Sequence, residues 1–465
     1  MNIVIASTEF EGIIKTGGLG DAICGISNAL SHYDEFNVYT ILPNFKNIND
    51  EDFENIGRFK ITNSKITADE DLEKVSGDIL FKKIGNVDVY LIDNKYYFNR
   101  EELYGYDDDL LRWSFFSRSI YELIKQESLN PNIIHVNDYH EGLLSFICKN
   151  NDEINCKHIV SIHNAYFQGE YQFNESNSKS LFEYYIDNNW DGDDINLLKF
   201  AVSNADNVIT VSPDYAELIK YTRFGEGLQD LYCEKNTMGF INGLDMSIYD
   251  RQSDDFESFV KVKERHKLEL QKRFNLKIDK DIPLFAYICR LSYQKGSHII
   301  LEAITDVVED GQLIVLGTGT EGYDDQYAEL NDKLDNYIAI IDFDSKLANE
   351  IYIASDMFLM PSDFEPCGIS QLIAQHYASL PIVTNVGGLK DSVIGYDLEN
   401  ANGFKLEKLG VKELIDTINT AKDVYFNDKD KWLKLMENAY NTDNSWEKRI
   451  KNYVDLYKKV GDCDA

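Results

Sequence analysis

Two α/β domains, each a doubly wound parallel sheet and the pair facing across a cleft, are the architecture this sequence predicts. Three observations carry that expectation. The chain has 465 residues, more than one hydrophobic core ordinarily serves at roughly 100 to 200 residues per domain. Short runs rich in Val and Ile alternate with longer amphipathic segments, the pattern of buried parallel strands flanked by helices. Those runs fall into two series separated by a polar, acidic stretch, DRQSDDFESF (250 to 259), which reads as the linker.

The first series is NIVIAS (2 to 7), VYTILP (38 to 43), DVYLID (88 to 93), NIIHVND (132 to 138), HIVSIHN (158 to 164) and NVITVSP (207 to 213). The second is PLFAYICRL (283 to 291), QLIVLGTG (312 to 319), YIAIIDF (337 to 343), MFLMPS (357 to 362) and PIVTNVGG (381 to 388). The boundaries that follow are 1–245 for the first domain and 246–443 for the second. A tail helix in 444–465 puts Trp446, Ile450, Tyr453 and Tyr457 on one face and is expected to pack back on the first domain. A hinge is expected near Gly243 and residues 250–259. Ligands of open α/β sheets bind outside the carboxyl ends of the strands, so the loops there should hold the chemistry.

Charge narrows the partners. Lys and Arg number 46 against 80 Asp and Glu, a formal net charge of −34, so the surface field repels nucleic acid and anionic lipid. No apolar run reaches the roughly 18 residues of a membrane span, and MNIVIASTEF lacks a basic segment followed by a long apolar one. Seven cysteines, an odd number without paired metal-ligand spacing, suit a reducing compartment and a cytoplasmic location. Asp-x-Asp at 191–193, 279–281, 342–344 and 428–430 is what an acidic chain produces by chance, and neither a metal nor a cofactor is expected. Without secretion, the glycosylation acceptor at Asn174 carries no meaning.

In such a field the few well-placed cations are informative. IKTGGLGDA (14 to 22) follows the first strand run. Its glycines allow a close backbone approach, the next helix aims its positive end there, and Lys15 adds a full charge: a cradle for phosphate or sugar, or else a tight turn with a solvated lysine. YICRLSYQKG (287 to 296) places Arg290 after a buried strand and Lys295 at the next helix start, where both can converge on a diphosphate. MPSDFEPCGISQL (360 to 372) puts Glu365 beside a helix N-terminus near Gly368, Ile369 and Ser370, as a capping glutamate or as a carboxylate that faces a sugar. Cys367 there reads as a small buried apolar residue rather than a nucleophile. NVGGLKDSV (385 to 393) repeats the device with Gly387 and Gly388, and with Asp391 in a helix's first turn. HVNDYHEG places Asp138 and His140 after one strand, and SIHNAYFQGEY places His163, Asn164 and Gln168 after the next.

In this order these motifs resemble the bacterial glycogen synthase and plant starch synthase family. The matching stretches are KTGGLGD, LYGYDDDLLRWSFFSRS (103 to 119), NDYH, IHNAYFQG, VITVSP, GFINGLD (239 to 245), CRLSYQKG, FEPCGISQL, NVGGLKD and SWEK, spanning Lys15 to Lys448. The resemblance implies two Rossmann-like domains of the GT-B type. It also implies a retaining, metal-independent transfer of glucose from a nucleotide sugar, ADP-glucose by the bacterial likeness, to the non-reducing end of an α-1,4-glucan. Catalytic roles then fall to Glu365, His163, Lys295 and Arg290. The donor side would comprise Lys15, Gly18, Asp21, Arg290, Lys295, Phe343, Cys367, Gly368, Ile369, Ser370, Gly387 and Gly388. Asp138, Tyr139, His140, Asn164, Gln168, Asn242 and Tyr104 would line the glucose and acceptor region. Tyr139 stands where the family usually has Trp, Phe343 where it has Tyr, Ser370 where it has Thr, and Ile373 where some relatives carry a second glutamate.

Overall fold

Residues 1–61, 72–151, 153–172, 194–253, 255–319 and 322–461 are described by the computed structural model. Asn174, the Asp-x-Asp at 191–193 and Cys463 lie outside them. The chain divides into two compact units: residues 1–211, 216–240 and 449–465 form the first, and residues 212–215 and 241–448 the second.

The first unit is built on a nine-stranded sheet. Its strands in chain order are β1 (Asn2–Ala6), β2 (Asn37–Pro43), β3 (Glu54–Lys60), β4 (Ser76–Ile84), β5 (Val87–Asp93), β6 (Ile133–Asn137) and β7 (Lys157–Ile162). After a separate two-stranded ribbon, β8 (Glu170–Gln172) and β9 (Asp194–Asn196), come β10 (Asn207–Thr210) and β11 (Met238–Gly239). The sheet order is β11-β10-β7-β6-β1-β2-β5-β4-β3. Strands from β11 to β5 pair in parallel, whereas β4 pairs antiparallel with both β5 and β3. This sheet is therefore mixed rather than wholly parallel. β3 escapes notice because an edge strand buries little: of ENIGRFK only Phe59 is buried, so no apolar run marks it.

The second unit has six parallel strands, β12 (Leu284–Ile288), β13 (Gln312–Leu316), β14 (Tyr337–Ile340), β15 (Met357–Met360), β16 (Leu380–Thr384) and β17 (Phe404–Leu406), in the order β14-β13-β12-β15-β16-β17. β13, β15 and β16 are buried along their whole length, and the helix Ser297–Glu309 covers the sheet with Ile299, Ile300, Ala303, Ile304 and Val307, the 3.6-residue stripe of a core-facing helix.

Two expectations about the connections are corrected. Residues 256–259 are no linker. They open the helix Phe256–Arg273, capped by the Asp255 carboxylate on the Ser258 amide (2.8 Å), and Phe259 is fully buried in the second unit's core. The helix begins acidic and carries lysines inward, so its face does not read as apolar: Lys263 is buried, donating to the carbonyls of Ile353, Ser355 and Tyr377, and Lys267 pairs with Asp356 (2.6 Å). Gly243 likewise sits in close packing, since a Cβ there would lie 2.7 Å from the Trp446 amide nitrogen. Apart from the short segment 212–215, the chain passes between units at 240–241 and 448–449 rather than at 245–246 and 443–444. Residues 444–446 stay with the second unit because Leu244 and Asn444–Trp446 exchange backbone hydrogen bonds.

The tail is two short helices, Trp446–Arg449 and Lys451–Gly461. Ile450, Tyr453 and Tyr457 are buried in the first unit as the spacing implies. Tyr457 is tied to β6 by its hydroxyl, 2.6 Å from His135 Nδ1, while His135 Nε2 lies 2.6 Å from the Ser161 hydroxyl on β7. Burial lowers the His135 pKa to about 3, so the ring is neutral and one nitrogen donates while the other accepts. Tyr457→Phe leaves that nitrogen buried without a partner, and the expected cost is about 1–3 kcal/mol, read as a lower urea midpoint with an unchanged slope.

Candidate active-site residues in each unit

In the first unit the glycine-rich turn is organised from strand β1. Beyond Ala6 the chain buries Ser7, Thr8 and Glu9. The Glu9 carboxylate accepts from the amides of Thr16 (2.7 Å) and Gly17 (3.2 Å) and from the hydroxyls of Thr16 (2.9 Å) and Tyr104 (2.8 Å). The helix that follows is Gly18–Leu30, and Gly17 caps it without a side chain. Glu9 thus takes amides that lead into the helix. Lys15 is not a lone cation either: its ammonium pairs with Glu11 and with Asp21 (3.0 Å). Burial acts to lower the Lys15 pKa, but the hydrogen bonds and charges of Glu11 and Asp21 outweigh it and the net direction is up.

The loop after β6 carries Asp138 in the left-handed region, φ +62°, a conformation that Asp tolerates better than most residues. Its carboxylate accepts from the amides of His163 (2.7 Å) and Asn164 (3.4 Å), so the ends of β6 and β7 are joined. Burial raises the Asp138 pKa to about 7, against the lowering effect of those amides. His163 is neutral, its pKa lowered to about 4 by burial, with Nε2 3.0 Å from the Asn137 side-chain oxygen. His140 is buried between Tyr139 (3.9 Å between ring centroids), Tyr104 (4.8 Å) and Trp113 (4.9 Å), and neither ring nitrogen has a hydrogen-bond partner among the described residues. Tyr139 packs against Gly169, where a Cβ would be 2.4 Å from the ring. Gln168 braces the loop, donating to the carbonyls of Ala165 and Glu226 and accepting from Asn196.

These contacts link Lys15, Asp21, Tyr104, Tyr139 and His140, and through the β6 and β7 loops Asp138, His163 and Asn164, into one region at the carboxyl ends of β1, β6 and β7. Gly18 opens the neighbouring helix. Sequence reasoning missed Glu9 and Glu11: a carboxylate at a strand end gives no signal that it will fold back onto a glycine turn.

In the second unit, three loops interlock. Lys295, on the loop after β12, pairs with Glu365 on the loop after β15 (2.5 Å). Asp363 donates its amide to Gln294 O (2.8 Å), and the Gln294 side chain donates to Phe364 O (3.2 Å). The third loop, after β16, lies so close that a Cβ on Gly387 or Gly388 would sit 2.0 Å from the carbonyl oxygen of Glu365 or Cys367. The Gly388 amide donates to Glu365 O (3.0 Å). Gln371, in the helix Ser370–His376, donates to the carbonyls of Cys367 and Gly368 from inside. Ile369 is that helix's N-cap, and the helix proper begins at Ser370. The helix Gly387–Ser392 starts at the glycine itself and places Asp391 beyond the first turn. Asp391 accepts from the Asp214 amide (2.7 Å), and Asp214 in turn accepts from the Gly387 amide (2.8 Å) and Lys390. Asp214, also missed from the sequence, belongs to the short segment 212–215 of this unit.

Lys295 stays charged: burial lowers its pKa, the charge and hydrogen bond of Glu365 raise it, and the net direction is up. Arg290 is exposed and makes no ion pair among the described residues. Phe343 is 84% exposed, its amide held by Asp342. Ile373 is buried in the core, and Asn242 is buried with its side-chain oxygen unpartnered among the described residues. Of the Asp-x-Asp sites, Asp344 and Asp428 cap helices and Asp279 accepts the Asp281 amide. Among the described residues no cluster of three His, Cys, Asp or Glu side chains is placed to hold a metal ion, and no helix is long and apolar enough to cross a membrane.

Two outcomes follow from this geometry. Gly388→Ala forces a methyl onto a carbonyl oxygen, with an expected loss of about 1–3 kcal/mol in denaturant unfolding. For Asp138 the folded pKa of about 7 lies above the ordinary 3.8, so the folded chain holds a proton the unfolded one lacks between those values. The associated stability is full below the lower value and lost as pH rises through the upper. Asp138→Asn removes this step, and the drop in urea midpoint between about pH 5 and about pH 8 should be smaller than in the parent chain.

Residues 2–234 match the family described as starch synthase catalytic domain, and residues 269–442 that described as glycosyl transferases group 1. The chain is 36% identical over 483 residues to a glycogen synthase of Clostridium botulinum (strain Alaska E43 / Type E3), covering 99% of each. It is 36% identical over 486 residues to the glycogen synthase of Streptococcus mutans, covering 99% of this chain and 100% of the relative. Among solved structures, the catalytic domain of starch synthase IV from Arabidopsis thaliana, bound to ADP and acarbose, aligns with a TM-score of 0.85 at 27% identity and 99% coverage of both chains. A sucrose-phosphate synthase from Thermosynechococcus elongatus, at 15% identity and a TM-score of 0.64, shares the fold. The interlocked loops at the strand ends are thus those of a GT-B glycosyltransferase, and the chain belongs to the glycogen synthase and starch synthase family.

Proposed function

We propose that this chain is a glycogen synthase that transfers glucose from ADP-glucose to the non-reducing end of an α-1,4-glucan with retention of configuration, in the cytoplasm. The observation that carries the reading is the Lys295–Glu365 pair on glycine-braced loops, in a chain whose full length matches glycogen synthases. The ADP in the starch synthase IV structure supports the adenine nucleotide.

The chemical problem is to expel a nucleoside diphosphate from an anomeric carbon and deliver the sugar to a neutral hydroxyl. Negative charge grows on the leaving phosphate while the sugar becomes oxocarbenium-like, so fixed cations and amides at that phosphate favour the transition state over the ground state. Arg290 and Lys295 take this role, with the amides of Gly368 to Ser370 and the Gly387–Gly388 turn beside them. Lys15 and Asp21 serve the donor from the first unit, and phosphate there exchanges with Glu11 for the ammonium. Phe343, exposed and aromatic, stacks on the base. Neutral His163, with Asp138, Tyr139, Asn164 and Asn242, receives the glucose and the acceptor. Glu365 stabilises the positive sugar rather than attacking it. The acceptor hydroxyl enters on the face the phosphate leaves, and that phosphate takes its proton.

Turnover with ADP-glucose and with UDP-glucose on glycogen tests the donor, and the ADP sugar should be preferred. Lys295→Ala and Glu365→Gln should each lower kcat by about a hundredfold or more. A glucosyl ester trapped on Glu365 would overturn the front-face route, and activity abolished by EDTA and restored by magnesium would overturn the metal-free one.

A further inference from the structure

Between the pinned residues of the β7 loop, two large aromatic side chains face solvent. Tyr166 is 65% exposed and Phe167 54%. Their rings are perpendicular, with centroids 5.2 Å apart. A lone exposed aromatic is ordinary, but an adjacent pair in water is a cost that folding does not require. The backbone that carries them is held in place. Asn164 accepts the Tyr166 amide on its side chain (3.1 Å) and the Phe167 amide on its carbonyl (3.2 Å). One residue later Gln168 is buried and tied to the carbonyls of Ala165 and Glu226, and Gly169 is pressed against the Tyr139 ring. The pair is therefore presented on a stiff support, so a ligand that meets it orders little new structure.

We propose that Tyr166 and Phe167 form a docking platform for an α-1,4-glucan chain, stacking on sugar units remote from the reacting end. This rests on the synthase reading above. Two features select a glucan over other occupants. The platform is continuous with the residues assigned to the acceptor, because the same loop starts with His163 and Asn164, whose amides the Asp138 carboxylate holds. The surrounding chain is strongly acidic, net −34, so a neutral polyhydroxyl ligand meets no repulsion, whereas acidic partners and anionic surfaces do. Aromatic faces offer the C–H side of a pyranose an apolar seat.

The test uses the full chain and the variant Tyr166→Ala/Phe167→Ala, with glycogen as the probe in affinity gel electrophoresis and glycogen or maltotriose as acceptor in turnover. The parent chain should be retarded by glycogen and the variant much less. The KM for glycogen should rise about tenfold, while the KM for maltotriose moves by less than about twofold, which also reports that the variant is folded. Tyr166→Phe should keep the retardation. Equal retardation of parent and alanine variant, with glycogen synthesis intact, overturns the platform alone. A dimer seen in sedimentation that the variant loses while glycogen retardation is unchanged overturns it in favour of a second copy. A parent chain that extends no acceptor with either donor overturns the synthase reading and the platform with it.

Discussion

Everything assigned to the second unit's chemistry depends on two stretches of backbone lying closer together than side chains permit. Gly387 and Gly388 press on the carbonyls of Glu365 and Cys367, and one amide donates across the contact. Gly296 does the same one strand over, where a Cβ would lie 2.0 Å from Pro361 O. Because β12, β15 and β16 are neighbours in the sheet, the three loops leaving them fuse into one rigid surface. The backbone of Glu365 and Lys295 is fixed on that surface, and the 2.5 Å ion pair joins their side chains across it. That is the preorganisation that electrostatic catalysis needs.

The distribution of charge is the second constraint. In a chain with this excess of carboxylates, both lysines assigned to the donor already hold carboxylates: Lys15 those of Glu11 and Asp21, Lys295 that of Glu365. A phosphate at either position therefore exchanges one anion for another rather than neutralising a bare charge. On the proposed reading only the difference between the two pairings would appear as affinity, whereas the exposed Arg290, in no ion pair among the described residues, would meet a phosphate without such an exchange. The pairs also keep two cations folded against the protein when no ligand is present, a small stability cost avoided at each.

Much of this was legible in the chain. Strands β1, β2, β5, β6, β7, β10 and β12 to β16 announce themselves because a strand buried on both faces must be continuously apolar. The glycine turns at 17–18 and 387–388 mark strand-to-helix junctions for the same steric reason. What stayed hidden obeys different physics. β3 borders solvent and reads as polar. The helix Phe256–Arg273 hides because its buried face includes Lys263, whose ammonium meets three carbonyls that no local pattern can foretell. Glu9, Glu11 and Asp214 act through partners distant in the fold or set by a turn, and their carboxylates looked like ordinary members of an acidic sequence. The candidate residues could be named from the sequence alone; the pairs that hold Lys15 and Lys295 could not.

The tail carries one more consequence, for the order in which the protein is made. The second unit is complete in sequence once Lys448 has been added, yet the first, begun at residue 1, still lacks the segment from Arg449 onward. Until that segment emerges from the ribosome, His135 has no phenol to meet and Glu35 no Lys458. Domains ordinarily mature in the order of their synthesis. Here the domain translated first is the last that can close: its sheet is complete in sequence by Gly239, yet the apolar face that Ile450, Tyr453 and Tyr457 cover must wait open while the other domain finishes.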